Sequence, residues 1–146
     1  MSSLRETFAT AVRRHRENLG ISQEELALRA SMDRTGISRL ERTAPNISLD
    51  SADTVSAALE TCFVTLLGGN IEAGPARMAA RTVFATRVQE ERLARGFSQR
   101  QLGDLARVDR NYVSAIESGK ENPRLDTVEK FARALKLPVV ALLTSV

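Results

Sequence analysis

Ser98-Gln99-Arg100-Gln101-Leu102-Gly103-Asp104-Leu105-Ala106-Arg107-Val108-Asp109-Arg110-Asn111-Tyr112-Val113-Ser114-Ala115-Ile116-Glu117 holds two short helices and the turn between them. Ser98 with Gln101 three residues on is the box that opens a helix, its hydroxyl and amide serving the first backbone N–H groups. Leu102 and Ala106 then fall four apart on one face. Asp109 caps a second helix whose apolar residues, Val113 and Ile116, point inward and whose remaining residues are mostly polar. Gly103 stands where the helices cross, a place that admits nothing larger than a methyl group. Two capped helices about a tight turn form a helix-turn-helix unit.

The same stretch occurs twice. Sliding the chain by 76 positions lays residues 8–70 on 84–146 without a gap, with 22 identities in 63 positions. Ser22-Gln23 falls on Ser98-Gln99, Asp33-Arg34 on Asp109-Arg110, Glu41 on Glu117 and Leu49-Asp50 on Leu125-Asp126. This marks a duplication. Residues 1–67 form one copy, the Gly- and Pro-bearing stretch 68–75 a linker, and 76–146 the second copy. Pro75 suits a first helical turn.

Each copy gives five helices and no strand. The first spans about 5–19 and 76–95 and is stopped by Gly20 or Gly96. The second runs from the Ser22 or Ser98 cap to about Ala30 or Ala106, with Glu25 or Gln101 completing the box. The third follows Asp33 or Asp109, with Ile37 and Leu40 or Val113 and Ile116 inward. The fourth follows Asn46 or Asn122, with Leu49, Ala52, Val55 and Leu59, or Leu125, Val128, Phe131 and Leu135, at helical spacing. A short fifth element ends in Leu66-Leu67 or Leu142-Leu143.

Composition narrows the function. Of 146 residues, 42% are hydrophobic and 27% charged, the balance of a globular chain. One cysteine, Cys62, excludes an internal disulfide, and with one histidine, His15, no Cys/His zinc cluster forms. No catalytic set, cofactor motif or metal motif appears, so no enzyme is expected. The start of the chain has no signal-type apolar stretch and no segment reads as membrane-spanning, which points to the cytoplasm. Charge is uneven: residues 1–72 have 8 Arg against 10 acidic residues, a balance of −2, and residues 73–146 have 13 basic against 8 acidic, a balance of +5. A basic half suits a polyanion.

The recurring Ser-Gln-x-x-Leu-Ala/Gly-x-x-Ala-x-x-Asp-Arg-x-x-Ile/Val-Ser-x-Leu/Ile-Glu resembles the phage-repressor/Cro-type (xenobiotic-response-element) DNA-binding domains, twice over. The resemblance implies an all-α fold of two tandem five-helix, lambda-repressor-like domains. It implies buried ion pairs Arg16–Glu41 and Arg92–Glu117. It implies recognition helices near 33–42 and 109–118 lying in the major groove of an operator. Arg34, Thr35, Arg39, Arg110, Asn111, Tyr112 and Ser114 are the expected base contacts, arginine being suited to guanine and asparagine to adenine. Gln23, Arg42, Gln99, Lys120, Asn122 and Arg124 are the expected phosphate contacts.

The copies differ after the third helix. Glu117-Ser118-Gly119-Lys120-Glu121-Asn122-Pro123-Arg124 keeps the family's Glu-x-Gly-x-x-x-Pro, whereas Thr43, Ala44 and Ser48 replace the glycine, lysine and arginine in the first copy. Both copies also lack the usual turn glycine, having Ser31 and Arg107. A transcriptional repressor or controller is the expected function. The fused copies imitate a dimer, or the chain itself pairs through Leu66-Leu67 or Val139-Val140 and Leu142-Leu143; those leucines equally suit bundle closure. The alternative is an antitoxin-, anti-activator- or repressor-inhibitor-type regulator whose acidic first copy binds a protein partner.

Overall fold

The computed structural model describes residues 2–69 and 78–145. Among these residues ten helices follow one another: α1 (Leu4–Leu19), α2 (Gln23–Arg29), α3 (Arg34–Thr43), α4 (Leu49–Ala58), α5 (Phe63–Leu66), α6 (Ala80–Ala94), α7 (Gln99–Ala106), α8 (Arg110–Glu117), α9 (Leu125–Leu135) and α10 (Val139–Leu143). The chain is all-α, five helices per copy, and among the described residues the only β pairing is one isolated bridge, Ser48 with Arg124. Most of the expected linker, 70–75, and the expected helix start at 76–77 lie outside the described residues, Pro75 among them.

Local chemistry explains the boundaries. Gly20 and Gly96 end the first helices at φ 70° and 69°, the left-handed region that glycine enters without strain. Ser22 and Ser98 both accept from the N–H three residues on, at 3.0 Å. The full box closes only in the second copy, where Gln101 Oε1 accepts from Ser98 N–H at 2.8 Å; the Glu25 carboxylate is drawn to Arg29 one turn away. Asp109 accepts from Asn111 N–H at 2.7 Å, while Asp33 makes no such bond. Ser31 and Arg107 occupy the left-handed region at φ 54° and 59°, as two turns deprived of glycine require.

One continuous apolar cluster runs through both copies. Its aromatic pair in the first copy is Phe8 on Phe63, edge to face with centroids 5.2 Å apart; in the second it is Phe84 on Phe131 at 5.8 Å. Leu66, Leu142 and Leu143 are buried within this cluster, closing the bundles.

The copies meet along a seam that exchanges with itself under the 76-residue shift. Leu49 N–H donates to the Pro123 carbonyl and Leu125 N–H to the Ile47 carbonyl, each at 2.9 Å. Asn122 Oδ1 accepts from Asp50 N–H (3.1 Å), and Asn46 Oδ1 from Asp126 N–H (3.0 Å), so each asparagine caps the other copy's fourth helix. Arg5 pairs bidentately with Asp126 at 2.8 and 2.9 Å, and Arg81 lies 3.6 Å from Asp50. α1 packs on α9 and α6 on α4. Such reciprocity is that of an isologous two-fold interface, here formed within one chain.

Some seam contacts break the symmetry, and one of them caps a helix. Ala79 has no side chain to cap α6, and Asp53 of α4 takes over, accepting from Ala80 N–H at 2.8 Å. Burial raises the Asp53 pKa, the Ala80 hydrogen bond opposes the rise, and nearby Asp50 adds to it. A carboxyl with a raised folded pKa stabilises fully below its unfolded value and loses that contribution as pH rises through the folded one. Asp53→Asn keeps an acceptor for Ala80 and removes the titration. Its stability relative to the parent should therefore grow as pH climbs from about 4 into the range above the ordinary Asp value. Urea unfolding of both proteins across that range measures this; parallel pH profiles would contradict it.

Candidate nucleic-acid interface

The two third helices are held at their C-terminal ends by buried charge. Arg16 donates to Glu41 at 2.7 and 2.9 Å and to the Ile21 carbonyl at 2.9 Å. Arg92 donates to Glu117 at 2.6 and 2.9 Å and to the Phe97 carbonyl at 2.8 Å. The glutamate side chains are only 4% and 3% exposed. Both arginine pKa values are raised, first by the side-chain bond to the glutamate and further by its charge, against the cost of burial. Each ion pair ties the first helix, the bend before the second helix and the end of the third into one rigid unit.

The same glutamates position the expected phosphate-contacting amides. Gln23 Nε2 donates to Glu41 at 3.2 Å and Gln99 Nε2 to Glu117 at 3.3 Å. Each amide thereby has its orientation set and keeps a second N–H, since an NH₂ group has two donors.

Sequence spacing places the polar residues of the third helices away from the core, and the structure agrees for most of them. Arg34, Thr35, Arg39 and Arg42 of α3 are exposed, as are Arg110, Asn111 and Ser114 of α8. Gln99, Arg110, Asn111 and Ser114 line one open cleft together with Arg92, Ser98 and Arg100. Arg100 was missed by pattern reasoning, although its counterpart is Glu24 and that reversal of charge between copies was a usable signal. Arg92 is held by Glu117 and Phe97, so the exposed guanidiniums at this cleft are those of Arg100 and Arg110, whose planar donors suit phosphate and base edges.

Three expected site residues also make contacts within the chain. Tyr112 is half-buried, in hydrogen-bond contact with Thr127 of α9, and burial raises its pKa. Asn122 spends its carbonyl oxygen on the cap of α4. Arg124 donates to the Asn46 carbonyl at 2.8 Å. Asn122 and Arg124 follow the third helix in the loop where the seam begins, and there Asn122 keeps its NH₂ group and Arg124 its other N–H groups beyond these bonds. Lys120 is exposed just beyond Gly119, which turns at φ 78°. In the first copy Thr43 replaces that glycine, so α3 runs two residues further than α8 before Ala44 turns the chain at φ 47°. Cys62 caps α5, its sulfur accepting from Thr65 N–H at 3.4 Å. Among the described residues no group of three His, Cys, Asp or Glu converges as a metal site, and no helix is long and apolar enough to cross a membrane.

A family model described as helix-turn-helix matches the chain at residues 12–62 and again at 88–142. A hypothetical transcription factor of Neisseria meningitidis serogroup B is 42% identical over 64 residues, which is 44% of this chain and 60% of that protein. The cryptic phage CTXphi transcriptional repressor RstR of Vibrio cholerae is 29% identical over 62 residues, 42% of this chain and 56% of the repressor. The chain thus spans three fifths or less of these relatives' lengths. Among solved structures, the restriction-modification controller protein C.AhdI of Aeromonas hydrophila is 37% identical over 44% of this chain and 98% of its own, with a TM-score of 0.42.

Proposed function

The chain belongs to the helix-turn-helix family, in two tandem copies, and from that premise we propose that it is a sequence-specific, DNA-binding transcriptional regulator. One observation supports this most: in both copies a buried arginine–glutamate pair anchors a third helix whose exposed face carries arginine, with an oriented glutamine beside it. Rigid placement of donors is what separates a base-reading surface from a merely basic one. Phosphates are held by Gln23, Gln99, Arg42 and Lys120, and bases are met by Arg34, Thr35, Arg39, Arg110, Asn111 and Ser114. The copies extend over 1–67 and 76–146 with 68–75 between them, and the protein works in the cytoplasm. The first copy is not reserved for a protein partner on this reading, because Arg34, Arg39 and Arg42 are all exposed on α3.

A salt titration of operator binding by the intact chain tests this. Binding should fall steeply with salt, and Lys120→Ala should reduce the slope by about one, through loss of one phosphate contact. Arg110→Ala should weaken binding by roughly 1–3 kcal/mol at a cognate site and relax preference at one base position, with little change on unrelated DNA. Equal losses on every sequence would assign Arg110 to phosphate, and salt-independent binding would reject the regulator.

A further inference from the structure

The seam brings together two recognition faces that are related by symmetry and unequal in chemistry. Its bonds exchange pairwise under the 76-residue shift, Leu49–Pro123 for Leu125–Ile47 and Asn122–Asp50 for Asn46–Asp126. Any pair of features related by a two-fold operation lies at the same height along its axis. A two-fold operation relating the copies places α3 and α8 at one height along its axis, and both lead through their following loops into the same seam. A homodimer with this arrangement has identical helices and selects an inverted repeat of identical half-sites.

This chain has different ones. Arg34 matches Arg110 and Ser38 matches Ser114, but Thr35 faces the place of Asn111, Arg39 that of Ala115, and Arg42 that of Ser118. Gln23 matches Gln99, while Glu24 stands where the second copy has Arg100. The first helix thus presents three exposed arginines, and the second an arginine beside an asparagine, whose side chain pairs with adenine rather than guanine.

We propose that one chain, as a monomer, occupies a bipartite and non-palindromic operator. Its two half-sites are inverted relative to each other, about one DNA turn apart, alike where Arg34 and Arg110 reach and unlike where Thr35 and Arg39 oppose Asn111 and Ala115. The complex then has a direction, and each copy belongs on one half-site only. This rests on the DNA-binding reading above and specifies its substrate.

The test selects binding sites from random duplex DNA with the intact chain, then rebuilds the selected site as two palindromes, one from each half. Native mass spectrometry counts chains per duplex, and gel shifts compare the three probes. One chain on the selected site, with each palindrome about ten- to a hundredfold weaker, is the expected result. The double variant Asn111→Thr with Ala115→Arg, which gives α8 the α3 residues at those two places, should move preference about tenfold or more toward the palindrome of the first half. A palindromic selected site, two chains per site, equal affinity for all three probes, or protection of one half-site alone would overturn the proposal while leaving a DNA-binding regulator intact. Failure to enrich any sequence would remove that regulator as well.

Discussion

Glu117→Ala is expected to cost about 3–5 kcal/mol of folding stability, measured by urea unfolding. The carboxylate accepts two bonds from Arg92 and one from Gln99. Removal leaves a guanidinium only 10% exposed, with the Phe97 carbonyl as its remaining partner. The penalty is that stranded charge, and it is large beside a typical total stability of about 5–15 kcal/mol. An apolar pair of similar volume, Arg92→Met with Glu117→Leu, should recover most of the loss, since it buries no unpaired charge. A loss below about 1 kcal/mol for the single variant would mean that Arg92 finds water once Glu117 is gone.

Phe131→Ala should cost a similar amount, about 3–5 kcal/mol, by the same measurement. The ring is fully buried and stacks edge to face on Phe84. The equivalent residue in the first copy is Val55, and its ring is supplied by Phe63 of α5, where the second copy has Val139. Each copy therefore fits one aromatic and one valine into two places, in opposite order. Val55→Ala has less buried area to lose and should cost clearly less than Phe131→Ala. Equal losses would show that the two cores are not packed in this exchanged manner.

Much of this was legible in the residues. Helical spacing located Ile37, Leu40, Val113 and Ile116, all buried. The ion pairs were implied by the family resemblance, and the recurrence of both partners in both copies supported them. The seam was not, because its bonds join residues 72 to 80 positions apart and leave no periodic trace. Asn122 illustrates the difficulty: a polar residue after a recognition helix suits a phosphate as well as it suits a helix N-terminus. Its twin Asn46, with an Asp four residues on in both copies, was the available hint. The unequal boxes at Ser22 and Ser98 came down to charge, because Glu25 is attracted by Arg29 and the neutral Gln101 has no such competitor.

A seam closed within one polypeptide also alters how such a regulator responds to its own abundance. Separate subunits must first find each other, so at low copy number their operator occupancy rises roughly as the square of the amount made. Here both recognition elements belong to one chain and are held side by side by the seam. Under the one-chain binding proposed above, occupancy would follow the first power of abundance, and a few newly made molecules would act without waiting for partners.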